Sequence, residues 1–266
     1  MKVNLIIALC QNRGIGYKNN IPWRIPRDLL HFSKCTTGLY GQKESVIKHF
    51  KEKYKIPENM KIKKNAVIMG KNTWNSLPFY PEGLKNRDNY ILSTSLDNIK
   101  KRNKNNDLIM SFSCISQLIQ YMDNLQSDLK EVIDYKITKE EYENSEIKEN
   151  NEYNKIWVIG GSQIIDLFIE YQENKKLIID EIYITYIDKY YECDVFFPKL
   201  NLLHDYYVED FNKRGEDDDV MVYYIKYKKR IGTFGSIHNP KNILSNILEK
   251  NQIINDYDIK LLYSLI

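Results

Sequence analysis

The sequence predicts an α/β fold: a central, mostly parallel sheet with flanking helices and an antiparallel C-terminal edge. Three observations lead there. Short apolar runs such as residues 3–10 (VNLIIALC) read as strands buried on both faces. Helical patterns alternate with these runs, as crossovers between parallel strands require. The last two strand-like runs, near residues 208–211 and 220–228, have no helix between them and read as an antiparallel hairpin.

Each element follows in order. After the first strand, Gly14-Ile15-Gly16 reads as a loop. Pro26 then opens a helix, because its fixed φ suits the first helical position and its missing N–H has no partner to lose there. Asp28, Leu29, Phe32 and Cys35 follow at helical spacing, with Leu29 and Phe32 expected to face inward. Strands are expected at residues 66–69, ending at Gly70, and at 90–92, ending at Ser93-Thr94-Ser95. An amphipathic helix follows at 116–125, and a short strand at 156–159 stops at Gly160-Gly161. A helix over 162–171 and a strand over 181–187 complete the pattern before the hairpin. Residues 38–64, rich in Lys, and 130–155, rich in Glu, Lys and Asn, read as solvated surface insertions. Residues 1–229 are thus expected to form one domain, and 230–266 a helical tail or linker. In the tail, Asn239-Pro240 suits an N-cap and first helical position, and Ile243, Leu244, Ile247 and Leu248 share one face that needs an apolar surface.

Composition narrows the function classes. Against 39 basic residues stand 36 acidic ones, so a net charge of +3 gives no argument for a nucleic-acid partner. No apolar run approaches the roughly 20 residues of a membrane helix. The cysteines are Cys10, Cys35, Cys114 and Cys193, without C-x-x-C pairing or zinc-like spacing. They are expected to be free thiols in a reducing compartment, with no metal bound. The chain enters its first strand almost at once, leaving no room for a signal peptide, and a cytoplasmic location is the expectation.

Three strand ends carry small or hydroxyl residues: Gly70-Lys71-Asn72-Thr73, Ser93-Thr94-Ser95 and Gly160-Gly161-Ser162-Gln163. Ligands of α/β sheets bind at strand ends, glycine admits close approach to the backbone, and free amides at a helix start favour phosphate. Three such ends in one sheet suggest a dinucleotide. Gly14-Ile15-Gly16 is not a Rossmann fingerprint, since no third glycine follows at the required spacing. Lys71 is either a phosphate partner or a solvated lysine. Asp28 has two readings: a first-turn acid complementing the helix dipole, or a carboxylate on an apolar pocket wall with raised proton affinity. Trp23 reads as core, Thr185 as an ordinary strand threonine, and Arg87 as a surface cation or a bidentate carboxylate clamp.

Taken together and in order, these blocks resemble the dihydrofolate reductases across roughly residues 3–229. The resemblance rests on Ile21-Pro22-Trp23, Pro26-Arg27-Asp28-Leu29-Leu30-His31-Phe32, and Val67-Ile68-Met69-Gly70-Lys71-Asn72-Thr73-Trp74. It continues through Asn86-Arg87, Trp157-Val158-Ile159-Gly160-Gly161-Ser162, Ile182-Tyr183-Ile184-Thr185 and Glu192-Cys193-Asp194-Val195-Phe196-Phe197-Pro198. The last block and the insertions look most like the reductase domains of protist bifunctional enzymes, in which a thymidylate synthase follows. Only residues 230–266 follow here, too few for a synthase.

The resemblance implies the family's three-layer fold and NADPH-dependent reduction of dihydrofolate to tetrahydrofolate, with antifolates as inhibitors. It implies that Asp28 binds the pterin and supports protonation of N5, that Thr185 orients Asp28, and that Trp23 positions a water. Ile6, Ala8, Leu29, Phe32, Leu84 and Ile159 would border the substrate, and Arg87 would hold its glutamate carboxylate. Ala8, Ile15, Gly16, Gly70, Lys71, Thr73, Ser93, Thr94, Gly160, Gly161, Ser162, Gln163 and Ile164 would contact NADPH, and residues 14–23 would be a mobile lid. Partners outside the site would be a thymidylate synthase domain or a second copy joined through the tail. Three departures stand out. Ile165 replaces a common tyrosine whose hydroxyl lies near the nicotinamide. The basic pair around the adenosine phosphate is reduced to Lys71. Cys193 replaces a frequent glycine, as in the protist forms.

Overall fold

A computed structural model describes residues 1–53, 55–58, 62, 64–134, 155–199, 205–215, 220–230, 257, 261 and 264–265, with the backbone alone at 125–134. In chain order the elements are β1 (Lys2–Cys10), β2 (Gly14–Gly16), α1 (Pro26–Thr37), α2 (Glu44–Lys53), β3 (Asn65–Gly70), α3 (Lys71–Ser76), β4 (Arg87–Leu92), β5 (Lys100–Arg102) and β6 (Leu108–Phe112). They continue with α4 (Ile115–Asp134), β7 (Ile156–Val158), α5 (Ser162–Glu173), β8 (Ile178–Ile187), β9 (Val195–Phe196), β10 (Tyr206–Gly215) and β11 (Met221–Lys229). The chain divides into two compact units. The first is Met1 with Leu29–Ile164; the second is Lys2–Asp28 with Ile165–Ile266. This is the α/β class expected: mostly parallel strands, antiparallel edge strands and flanking helices.

In the first unit the strand order is β7-β3-β4-β6-β5. β7, β3, β4 and β6 run parallel, and β5 pairs antiparallel with β6. Val67, Ile68 and Met69 of β3 are fully buried, as a run apolar on both faces demands. On α4, Leu118 and Met122 are fully buried one turn apart, with Ile115 buried one turn before them, so one stripe of the helix is covered. Tyr90, Phe112 and Tyr121 form an aromatic cluster with ring centroids 5.5 to 6.0 Å apart. α2 lies within the predicted insertion and buries none of its residues, as a solvated surface element should.

In the second unit the order is β10-β11-β8-β1. β1 and β8 are parallel, while β11 and β10 add antiparallel strands. Ala8 pairs with Thr185, and Thr185 with Tyr224, so the threonine sits mid-sheet. Cys10, Trp23, Ile25, Ile187, Val220 and Val222 form a core cluster. Here the structure departs from expectation: Gly14–Gly16 is not a loop but a strand paired with β9. Gly14 is required there, because a Cβ on it would lie 2.2 Å from the Cys193 sulfur.

β5 and β6 were not anticipated. All three residues of β5 are exposed, so it has no apolar signature. Residues 135–154 of the second insertion, and the helix expected near 239–248, lie outside the described residues. The described tail residues belong to the second unit. Leu261 and Leu265 are buried, and the Tyr257 hydroxyl donates to Asp188 at 2.9 Å. Arg13 Nη1 donates to the carbonyls of Ser264 and Leu265 at 3.2 and 3.4 Å. Among the described residues no helix is long and apolar enough to cross a membrane.

Candidate active site

The second unit holds the acid. Asp28 lies in the first turn of α1, where its N–H donates to the Ile25 carbonyl at 3.1 Å. Its side chain is buried at 6 % exposure, whereas Leu29 is 54 % exposed. This corrects the expected inward position of Leu29. Steps of four residues place Asp28, Phe32 and Thr36 on one stripe, and Leu29 lies about 100° away from it. Thr185 on β8 is buried at 3 %, on a strand whose flanking Ile184 and Ile187 are also buried. Ile6 is buried and Ala8 half-buried on β1. Trp23 is buried, its ring 5.7 Å from Tyr191, and its Nε1 has no acceptor among the described residues. A buried indole N–H in that position calls for a water or ligand oxygen.

The first unit holds the buried arginine. Arg87 opens β4 and is buried at 6 % exposure. Its Nε donates to the Lys85 carbonyl at 3.0 Å, its Nη1 donates to Thr36 Oγ1, and its guanidinium lies 5.9 Å from the Phe32 ring centroid. The Thr36 hydroxyl itself donates to the Phe32 carbonyl at 2.7 Å, so its lone pairs face the arginine. Burial pulls the guanidinium pKa down to about 10, opposed by Asp107, and the group stays charged at neutral pH. Leu84 is buried nearby in sequence, its N–H held by Asn89 Oδ1 at 2.9 Å. Thr36 was not anticipated. The adjacent buried pair Thr36-Thr37 at the end of α1 was its only trace.

The same unit brings the strand-end residues together. Gly70 N–H donates to the Gly160 carbonyl, and Ile159 N–H to the Ile68 carbonyl, each at 2.9 Å. These bonds zip the ends of β3 and β7. A Cβ on Gly70 would meet Ile164 at 3.0 Å, and one on Gly161 would meet Thr73 Oγ1 at 3.6 Å. Ile164 therefore fills the space beside Gly70, while the backbone at Gly161 stays open next to Thr73, and together they make a glycine-lined cradle. Lys71 Nζ donates to Ser95 Oγ at 3.1 Å, and Ser95 N–H to Ser93 Oγ at 3.2 Å, joining the cation to the end of β4. Thr94 and Gln163 are exposed, while Ser162 is half-buried. Ile15 and Gly16 stand on or beside β2 in the second unit, both half-buried. Ile165, where the family commonly has tyrosine, is 1 % exposed.

A family model described as dihydrofolate reductase matches residues 2–41 and 125–229. The chain belongs to the dihydrofolate reductase family. A dihydrofolate reductase of Heliothis virescens is 28% identical over 232 residues, covering 86% of this chain and 98% of the relative. One from Drosophila melanogaster is 28% identical over 200 residues, 75% of this chain and 81% of the relative. The bifunctional dihydrofolate reductase-thymidylate synthase of Plasmodium chabaudi is also 28% identical over 200 residues, 71% of this chain and 29% of that protein. As a dihydrofolate reductase family member, the chain is an oxidoreductase that acts on dihydrofolate with a nicotinamide cofactor.

Proposed function

We propose that the chain reduces 7,8-dihydrofolate to tetrahydrofolate with NADPH, adding hydride at C6 and a proton at N5. The observation that supports this most is the buried carboxylate of Asp28, set on a helix stripe where a solvated acid would normally turn outward. Such an acid pairs with the amino group and ring nitrogen of a pterin and holds a proton near N5. Thr185 orients it, and Trp23 Nε1 donates to a water beside the ring. Arg87, already fixed by Thr36 and the Lys85 carbonyl, receives a substrate carboxylate in a fork–fork pair. The glycine-lined cradle of Gly70, Gly160 and Gly161 fits the cofactor's phosphate and ribose backbone, and Lys71 with Ser93 and Ser95 fits the adenosine 2′-phosphate. When bound, NADPH supplies the hydride. The residues position the reactants and exclude water. Antifolates would occupy the place of the pterin. Free thiols at all four cysteines support a cytoplasmic location. A thymidylate synthase domain or a second copy of the chain would join through residues 230–266.

The test is NADPH oxidation by the full chain, followed by absorbance with and without dihydrofolate. Oxidation that requires dihydrofolate is expected. Saturable NADPH binding with no turnover would make this a silent, ligand-binding relative.

A further inference from the structure

We propose that Cys10 and Cys193 form a reversible thiol–disulfide site that fastens the segment carrying β2 to the segment carrying β9. The two sulfurs lie 3.8 Å apart, although the residues are 183 positions apart in sequence. Cys10 ends β1 and is fully buried; Cys193 is half-buried, two residues before β9. Both thiols sit within one hydrogen-bonded junction. Cys10 Sγ donates to Asn12 Oδ1 at 2.9 Å, the same oxygen accepts from Gly14 N–H at 3.0 Å, and Asn12 Nδ2 donates to the Tyr191 carbonyl at 3.0 Å. Gly14 must lack a side chain because the Cys193 sulfur occupies that space. The fold therefore holds the two sulfurs near van der Waals contact, and a disulfide requires them to close to roughly 2.05 Å.

What the bond would constrain is visible on either side. Hydrogen bonds clasp the β2 segment. Asp194 N–H donates to the Gly16 carbonyl at 3.0 Å, the Tyr17 hydroxyl to Glu192 at 2.9 Å, and Lys18 N–H to Asp194 at 2.9 Å. Such a clasp opens as its bonds break together. A covalent link at Cys193, next to Asp194, removes the fully open state.

The chemistry needs a two-electron oxidant, and a small-molecule disulfide such as oxidised glutathione supplies it. The Cys193 thiol, reachable from solvent, loses its proton and attacks one sulfur of the oxidant, breaking its S–S bond and releasing one thiol. The Cys10 thiol then loses its proton and displaces the second small thiol from Cys193. The protein is oxidised by two electrons and the oxidant becomes two thiols. Burial and the neighbouring Cys10 push the Cys193 thiol up to about 11, so the first step accelerates as pH rises.

The experiment treats the full chain with oxidised glutathione at pH 7 and pH 9, quenches with an alkylating agent and maps peptides by mass. The expected result is a Cys10–Cys193 cross-link lighter by two hydrogens, formed faster at pH 9 and reversed by dithiothreitol. Exposed Cys114 should carry only a mixed disulfide. In Cys10→Ser, Cys193 should stop at the mixed disulfide. Amide exchange over residues 14–20 should slow by about tenfold or more in the oxidised protein. A wild-type Cys193 that stops at the mixed disulfide, with Cys10 still alkylated, would overturn the site. A cross-link with unchanged exchange would overturn its fastening role. That this segment is a lid rests on the proposed reduction of dihydrofolate. Neither readout uses turnover, so a chain that oxidises no NADPH defeats that reading without touching this one.

Discussion

On the proposed reading the first unit meets the cofactor with the backbone around Gly70, Gly160 and Gly161 and with Lys71 and the serines of the β4 end, and meets the substrate carboxylate with Arg87. The second unit offers single side chains held inside a sheet and a helix turn: Asp28, Thr185 and Trp23. A backbone cradle recognises shape and phosphate charge and is tolerant of its surroundings. A buried acid acts through one group. With the proposed roles, binding and chemistry are separately damaged, and mutations should divide along the contrast.

The sharpest break is Asp28→Asn. Turnover at pH 7 should fall by roughly 10²- to 10⁴-fold, the range of a lost general acid. NADPH affinity, read by fluorescence titration, should stay within about twofold if it depends on the other unit's backbone. Part of the rate should return at low pH, where substrate arrives already protonated. Near-normal activity at pH 7 would remove the acid from the reaction. Lys71→Glu should raise the KM for NADPH by roughly 10- to 100-fold, the equivalent of about 1.5–3 kcal/mol for a charge-assisted pair. The KM for NADH, which lacks the 2′-phosphate, should barely move; equal effects would show that another residue reads that phosphate.

Arg87→Lys keeps the charge but loses the fork, so the KM for dihydrofolate should rise about tenfold while kcat and the KM for NADPH change little. An unchanged KM would return Arg87 to a structural role at the start of β4. The smallest effect is expected from Ile165→Tyr. Because Ile165 is 1 % exposed, the larger ring should cost about 1–3 kcal/mol by denaturant unfolding. No loss would mean that α5 leaves room for the family's usual tyrosine.

Legibility followed the same division. The strands β1, β3, β4, β7 and β8 could be read because continuous apolar runs are buried on both faces. β5 could not, since Lys100-Lys101-Arg102 contributes only its backbone to pairing. β2 was read as a loop because Gly14-Ile15-Gly16 carries turn residues, and its pairing with β9 is a long-range fact. The glycine-rich strand ends announced themselves by residue type. Asp28 did not, because a first-turn acid looks the same in sequence whether it is solvated or buried. The Arg87–Thr36 bond and the Cys10–Cys193 approach join residues 51 and 183 positions apart, and no local pattern encodes them.

The docking of Tyr257, Leu261, Ser264 and Leu265 has a consequence for concentration. Arg13 binds two backbone carbonyls near the end of the chain and also the carbonyls of Phe197 and Pro198, immediately before β2 and after β9. The segment that carries Ser264 and Leu265 is thus a tethered ligand for this corner. Its local concentration is set by its covalent attachment to β11 and not by the amount of protein in solution; for joined binding modules such effective concentrations reach about the millimolar range. Weak contacts suffice at such concentrations; among the described residues they include Leu261, Leu265, the Tyr257 hydroxyl and the Arg13 guanidinium. Cut after Arg230, the same segment added as a free peptide would have to reach comparable concentrations to refill the corner.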